Sequence, residues 1–244
     1  MKRILPVFLI LALMVGLVAC SNESPEASGA PVPSMFSETD EATVPESSAG
    51  EVPPEASAGE SGSNILIAYF TMPEDVDTDG VDAISGASIV VSNGKVMGNV
   101  EYIAGVIQET VGGDLFRIET VQQYPLDHDP LVDRAAEEQD ADARPELATY
   151  IENPDQYDTI ILGYPNWWGD MPQALYTFLE EYDFSGKTII PFCPHGGSGF
   201  SRTESAIAEL QPGATVSENG LAISRNDVAG SAEEVTAWAE NLGL

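Results

Sequence analysis

The chain has 244 residues, of which 40 are acidic and 9 basic, so its formal net charge at pH 7 is −31. This excess of negative charge argues against nucleic acid or anionic lipid headgroups as partners, because both repel an acidic surface. It favours cationic partners or simple solubility instead.

The first 19 residues have the layout of a secretory signal, since Lys2 and Arg3 precede an apolar stretch from Ile4 to Val18. The stretch is too short for a convincing membrane span. It closes with Leu17-Val18-Ala19-Cys20, which resembles the lipobox of bacterial lipoproteins. The resemblance implies lipid attachment at Cys20 and anchoring to the extracytoplasmic face of the bacterial cell membrane. Ordinary secretion is the alternative.

Residues 20–63 are expected to form a disordered linker. After Cys20 this segment is rich in Ser, Pro, Ala, Gly and Glu and contains no Lys, Arg, Ile or Leu. It cannot bury enough apolar area to offset the entropy of ordering. Its nine acidic residues should extend it by self-repulsion. We expect it to hold a domain away from the membrane.

Residues 64–244 suit one globular domain. They contain 31 acidic and 7 basic residues, a net charge of −24. Cys193 is the single cysteine of residues 64–244, so no disulfide is expected inside the domain. Its apolar neighbours favour a buried, unreactive thiol.

Short apolar segments alternate with amphipathic ones along this domain, which predicts strands alternating with helices. Strands are predicted at Ile65–Phe70, Leu115–Glu119, Asp158–Gly163, Lys187–Cys193, and at either Ala214–Ser217 or Leu221–Ser224.

Helices are predicted where apolar residues recur with a period of 3.6. Three helical faces are Val100, Ile103, Ala104 and Ile107; then Leu175, Phe178, Leu179 and Tyr182; and finally Val235, Trp238, Ala239 and Leu242. A short helix is expected at Pro145–Ile151. Capping boxes at Ser201 with Glu204 and at Ser231 with Glu234 are expected to open two helices.

The alternation predicts an α/β fold, a three-layer doubly wound sandwich around a five-stranded parallel sheet. A barrel would need eight strand–helix units. One long insert, Met72–Val96, separates the first strand from the first helix. Because Asn93-Gly94 lies between β-rich flanks, the insert is expected to contain a hairpin.

Two adjacent tryptophans follow the third predicted strand, in a loop bounded by Pro165 and Gly169. Ligands of open α/β sheets bind outside the carboxyl ends of the strands. Large aromatic side chains there can stack on a flat ring system. The loop therefore suggests a flat aromatic cofactor, with packing of both rings into the core as the alternative.

Three loops with unusual sequences leave the carboxyl ends of predicted strands. They comprise Thr71 with Met97–Val100, the Trp loop Tyr164–Pro172, and Pro194–Phe200. Together they resemble the three flavin-binding loops of the flavodoxin family, and especially of secreted members with Pro-x-Trp-Trp-Gly and His-Gly-Gly-Ser-Gly motifs. The resemblance implies a flavodoxin-type sheet and FMN as cofactor.

The resemblance also assigns roles to residues of this chain. A phosphate loop would use Thr71, Gly98, Asn99 and Val100, although Val100 stands where the family often has Thr. The flavin ring would meet Pro165, Asn166, Trp167, Trp168 and Gly169 on one side, and His195, Gly196, Gly197, Ser198 and Gly199 on the other.

The expected function is an extracytoplasmic FMN-binding redox protein that carries electrons or reduces a small acceptor such as a quinone. A serine hydrolase using His195 and Ser198 is an alternative, but Gly196–Phe200 does not match the Gly-x-Ser-x-Gly pattern. A surface binding module with a decayed flavin site is another.

Residues Asp82–Ser88 resemble the flavin acceptor motif of extracytoplasmic flavoproteins, in which FMN is linked covalently to the last hydroxyl. Ser88 is therefore a possible covalent flavin site, with chance similarity as the favoured alternative. No metal site is predicted. Asp127-His128-Asp129 could supply ligands, but its position between Pro125 and Pro130 favours a turn.

Overall fold

The structure is a computed structural model that describes residues 64–80, 83–84 and 86–244. The predicted signal peptide, Cys20 and the linker to residue 63 lie outside the described residues. So do Asp82 and Ser85 of the flavin acceptor motif. In the part of the chain that is described, no helix has the length and apolar character needed to cross a bilayer.

The described domain contains nine strands and five α-helices. In chain order they are β1 (Ile65–Tyr69), β2 (Ala83–Ile84), β3 (Ile89–Ser92), β4 (Lys95–Gly98), α1 (Asn99–Val111), β5 (Asp114–Arg117), α2 (His128–Asp140), β6 (Thr159–Gly163), α3 (Gln173–Glu181), β7 (Thr188–His195), α4 (Thr203–Leu210), β8 (Thr215–Val216), β9 (Leu221–Ser224) and α5 (Ala232–Asn241).

The central sheet has the order β5-β1-β6-β7, followed by a fifth position that β8 and β9 share. Every pairing in it is parallel. Both sequence candidates for the fifth strand are real, because β8 pairs with the beginning of β7 and β9 with its end. The predicted doubly wound α/β fold is confirmed.

The sheet is covered on both faces because successive side chains of a strand point in opposite directions. In β1, Ile65 and Ile67 contribute to a core with α1 and α5. Leu66 and Ala68 contribute to the opposite core, with α2, α3 and α4. Strands buried on both faces have continuous apolar sequences, and β1 has such a sequence.

The predicted helix at Pro145–Ile151 is wrong. This segment is extended, because Leu147 forms an antiparallel bridge with Thr120. In addition, the Thr149 hydroxyl donates to the Arg117 carbonyl and accepts from the Glu119 amide. The second helix is instead α2, which begins where a turn was expected. Its acidic content concealed a narrow apolar face, of which Leu131 is the most buried large residue.

The two predicted capping boxes are also wrong. Ser201 has φ 53°, and its hydroxyl donates to the Ser198 carbonyl instead of capping α4. Ser231 does precede α5, but its hydroxyl donates to the Val228 carbonyl at 2.8 Å. In both places the serine hydroxyl donates to a carbonyl of the preceding turn, because serine hydroxyls readily bond to nearby carbonyls.

The insert after β1 contains the predicted hairpin. β3 and β4 pair antiparallel across Asn93 and Gly94, whose φ angles of 53° and 76° fit a type I′ turn. β2 adds a third strand against β3. The hairpin leads directly into α1, so it returns the chain to the carboxyl edge of the sheet despite the length of the insert.

Gly163, the last residue of β6, gives a test of the sheet packing. A Cβ at this position would overlap the Phe192 ring, which is fully buried. We expect Gly163→Ala to lower the free energy of unfolding by about 3 kcal/mol, because the core must move to accommodate the methyl group. Urea denaturation of the purified protein measures the change.

Gly105→Ala provides the matched control. A Cβ at Gly105, inside α1, meets nothing within 4 Å. This substitution should raise the free energy of unfolding by about 0.5–1 kcal/mol, since alanine is the better helix former. Equal effects of the two substitutions would contradict the packing described for Gly163.

Candidate functional site

A cavity of about 220 Å³ opens beyond the carboxyl ends of β1, β6 and β7. This is the place where open parallel sheets bind ligands. The described lining residues come from four regions: Thr71, Met72, Glu74, Gly86, Ser88, Asn99 and Val100; His128, Leu131, Val132 and Ala135; Pro165, Asn166, Trp167 and Trp168; and Pro194, His195, Gly196 and Arg225.

One end of the pocket is formed by the first residues of α1. Asn99 is 2% exposed, and among the described residues neither its Nδ2 nor its Oδ1 has a hydrogen-bond partner. Leaving such a buried group unpaired costs about 1–3 kcal/mol. Since Asn99 also lines the pocket, the uncompensated amide is expected to bind a ligand.

The backbone around Asn99 suits an anion. Gly98 precedes the helix, and a Cβ there would overlap the Thr71 hydroxyl, which also lines the pocket. The exposed amides of a helix N-terminus and its dipole favour negative charge. Thr71, Gly98 and Asn99 thus lie together, as expected for a phosphate loop, and the residues present fit the phosphate of FMN.

Val100 stands where the family often carries a hydroxyl residue, and its side chain packs into the core. It is 2% exposed and packs in the core with Ile103 and Val90. Although it borders the pocket, it supplies only an apolar surface. The valine therefore strengthens the contact between hairpin and helix at the expense of one side-chain donor to the ligand.

The two tryptophans have different roles. Trp167 packs edge-on against Phe70 and Tyr124, with ring centroids 5.6 and 5.8 Å apart. Trp168 is 61% exposed, and its indole nitrogen donates to the Val132 carbonyl. Trp167 therefore belongs largely to the core, while Trp168 is available for stacking.

The Trp loop is a tight turn. Trp167 and Asp170 exchange backbone hydrogen bonds of 2.8 and 3.0 Å. The residues between them, Trp168 and Gly169, have φ angles of 55° and 77°. A bulky residue rarely adopts a positive φ, and such strain concentrates at ligand sites. The turn holds the exposed indole at the pocket.

Asn166 joins the second and third loops. Its Oδ1 accepts from the Gly169 amide at 3.1 Å, and its Nδ2 donates to the Gly199 carbonyl at 2.9 Å and to the Ser201 hydroxyl. One amide thus bonds both loops, so their separation across the pocket is fixed by the protein itself.

The third loop contributes fewer lining residues than the motif suggests. His195 and Gly196 line the pocket, whereas Gly197, Ser198 and Gly199 are not among the lining residues. The His195 Nδ1 accepts the Gly197 amide at 2.9 Å. The neutral ring therefore carries its proton on Nε2 and can donate a hydrogen bond. Gly98 and Gly169 likewise shape the backbone without lining the pocket.

The hydrolase alternative finds no support in this geometry. Among the described residues, no hydrogen bond joins the Ser198 side chain to His195 or His128; the latter bonds Glu74 instead. Cys193 is 1% exposed, and burial raises the pKa of its thiol well above the ordinary value. It is the inert thiol that the sequence suggested.

Sequence reasoning missed one wall of the pocket. Leu131, Val132 and Ala135 come from α2, which was not predicted, and Arg225 follows β9. The spacing of Leu131 and Ala135 was the available signal for α2. Glu74 lies in the insert, where no sequence motif marked it as a pocket residue. Within the described lining, Glu74 is the one carboxylate, so the strong negative charge of the domain is located elsewhere.

Asp170 anchors the Trp loop. Its carboxylate is fully buried, bonds both Tyr176 (3.1 and 3.0 Å) and Arg202, and accepts the Met171 amide. Burial and the Asp170 charge raise the pKa of Tyr176 to about 12. This carboxylate therefore connects the turn to α3 and to the beginning of α4.

We expect Asp170→Ala to lower the free energy of unfolding by about 2–3 kcal/mol, because the buried Met171 amide and the partly buried Tyr176 hydroxyl lose their acceptor. Glu180→Ala is the control, since it breaks a more exposed pair with Arg144 and should cost less than about 1 kcal/mol. Thermal and urea denaturation measure both. Similar decreases in the free energy of unfolding for the two variants would contradict the anchoring role described for Asp170.

The flavodoxin family model matches residues 88–242. A candidate flavoprotein from Bacteroides eggerthii is 27% identical, with a TM-score of 0.55, and the alignment covers 74% of this chain and 98% of that one. A candidate flavoprotein from Bacteroides uniformis is also 27% identical, with a TM-score of 0.49 and coverages of 71% and 99%.

A flavoprotein from Lactobacillus acidophilus, solved in complex with FMN, is 19% identical, with a TM-score of 0.45 and coverages of 68% and 96%. No curated protein matches the chain. Because the family model spans more than half of the chain, the chain belongs to the flavodoxin family, which supports FMN as its cofactor.

Proposed function

We propose that this chain is an extracytoplasmic FMN-binding redox protein that carries electrons or reduces a small acceptor such as a quinone. The observation that carries the proposal is the buried side-chain amide of Asn99 at the start of α1. It has no hydrogen-bond partner among the described residues, and it lines a pocket at the carboxyl edge of a flavodoxin sheet. FMN, when bound, supplies one- or two-electron chemistry.

The described residues divide the pocket into a polar end and an aromatic end. Thr71, Asn99 and the α1 N-terminus would hold the phosphate. Trp168 would stack on the flavin ring, and the His195 Nε2–H would donate to a ring carbonyl or nitrogen. Apolar side chains of α2, such as Leu131, would exclude water from that end.

The location outside the cytoplasm rests on the sequence alone. The lipobox-like segment ending at Cys20 supports a membrane anchor, and the acidic linker to residue 63 supports a tethered domain. The redox partners would then be small molecules or proteins that reach the extracytoplasmic face. Metabolic labelling with a fatty acid, which Cys20→Ala should abolish, tests the anchor.

FMN binding is tested first by the visible spectrum. The purified protein, loaded with FMN, should show flavin bands that become filterable on unfolding. Asn99→Ala should weaken FMN binding by about 10- to 100-fold, because hydrogen bonds to a charged group contribute about 1.5–3 kcal/mol. Titration of flavin fluorescence measures the dissociation constant.

Asn153→Ala is the matched control. Asn153 lies before the amino end of β6, whereas the pocket lies at the carboxyl end, so this substitution should leave FMN affinity unchanged. No bound flavin at micromolar FMN would overturn the redox proposal. It would support the alternative of a surface binding module whose flavin site has decayed, in which Asn99 binds another anion.

Covalent flavin is a second candidate, favoured by one observation. Ser88 lines the pocket, and its carbonyl accepts a hydrogen bond from the backbone N–H of Asn99 at 2.8 Å. The hydroxyl residue of the acceptor-like motif therefore lies near the proposed phosphate end. Protein co-expressed with a flavin transferase would then retain flavin after denaturation and filtration.

Ser88→Ala should remove the retained flavin while leaving exchangeable FMN binding intact. Ser92→Ala, at the far end of β3, the strand that follows Ser88, should leave the retained flavin unchanged. Complete release of flavin from the unfolded wild-type protein would exclude covalent attachment under those conditions.

A further inference from the structure

Two titratable side chains from separate segments meet at the pocket. The Glu74 Oε1 lies 2.8 Å from the His128 Nδ1, and both residues line the cavity. The Glu74 side chain is 9% exposed and that of His128 is 58% exposed. The carboxylate is thus mostly covered, while the imidazole is accessible to a molecule entering the pocket.

The backbone fixes both partners. The Glu74 amide donates to the Ala87 carbonyl of the insert, and the Asp75 amide donates to the Leu126 carbonyl just before α2, each at 3.0 Å. His128 is the first residue of that helix. These bonds tie the segment after β1 to the start of α2, so the pair is held in place by neighbouring main chain on both sides.

The surrounding charges favour the protonated imidazole. The hydrogen bond to Glu74 and the charge of Glu74 raise the pKa of His128 above its usual 6.5. Asp129 on α2 raises it further, while Arg225 from the loop after β9 lowers it. An imidazolium that persists toward neutral pH is well suited to general acid catalysis.

The second histidine of the pocket is bonded differently. The His195 Nδ1 accepts the Gly197 backbone amide at 2.9 Å, so this ring is bonded to the main chain and not to a carboxylate. With Nδ1 of His128 bonded to Glu74, its Nε2 has no hydrogen-bond partner among the described residues. A histidine oriented by a carboxylate, with the other nitrogen available, is a recurring proton-transfer arrangement.

We propose that His128, positioned by Glu74, protonates a quinone-class acceptor as that acceptor is reduced in the pocket. This inference rests on the proposed FMN function. The quinone would take a hydride from anionic reduced FMN, and the His128 Nε2–H bond would break as a new O–H bond forms on the acceptor. The products are a hydroquinone, oxidised FMN and neutral His128, which solvent reprotonates.

The first arm of the test needs no flavin. NMR titration of the two histidines in the flavin-free protein should show that Glu74→Gln lowers the pKa of His128 toward its ordinary value. Asp75→Asn, which removes the same charge one residue away, should leave that pKa closer to the wild-type value. Equal shifts in both variants, or none, would overturn the pairing.

The second arm compares two acceptors. FMN-loaded protein is reduced with dithionite and mixed without oxygen with 1,4-benzoquinone, which takes up protons, or with ferricyanide, which takes up only electrons. His128→Gln should slow the quinone reaction about 100-fold, the usual scale of general acid catalysis. The ferricyanide rate should be unchanged.

The pH profile separates proton donation from a structural role. The wild-type quinone rate should fall as pH rises through the pKa of His128, and Glu74→Gln should move this limb to lower pH. Equal slowing with both acceptors, or no slowing, would overturn the proposal. Failure of FMN to bind would appear in the spectrum before any rate is measured, and would overturn the proposed function together with this inference.

Discussion

The buried carboxylate of Asp170 is the constraint on which the pocket depends. Asp170 ends the two-residue turn that carries Trp168. Its carboxylate bonds Tyr176 of α3 and Arg202, which precedes α4. A charge removed from water must be paired, so Tyr176 and Arg202 have little freedom to leave it. The turn is consequently fixed at its base, and the exposed indole at its tip stays at the pocket even though its backbone has a positive φ.

The fold was largely predictable because its strands are buried on both faces. Segments such as Ile65–Phe70 are apolar throughout, and this pattern has few alternatives in a chain that alternates strands with amphipathic helices. α2 escaped prediction for the opposite reason. It lies at the surface, has a short apolar face and is rich in acidic residues, so its sequence resembles a solvated loop.

The sequence predicted which loops meet at the carboxyl edge of the sheet, but it did not predict the contacts of each residue in them. The adjacent tryptophans share one sequence context, yet Phe70 and Tyr124 enclose only Trp167. Ser201 matches a capping pattern, yet its hydroxyl takes part in bonds that close the third loop onto Asn166. Such assignments depend on tertiary neighbours, which no local pattern encodes. The backbone of the proposed phosphate loop was more predictable, because Gly98 beside the start of α1 has a local steric cause: a Cβ there would overlap Thr71.

The insert after β1 explains how one flavodoxin fold can acquire additional chemistry. Its hairpin closes on itself, so Asn99 still begins α1 beside Thr71 as it would without an insert. The extra length is therefore free to carry other side chains to the same opening, and it supplies both Ser88 and the Glu74 that orients His128. The sheet edge determines where a flavin can bind, whereas the insert and α2 determine which atoms an acceptor would meet there.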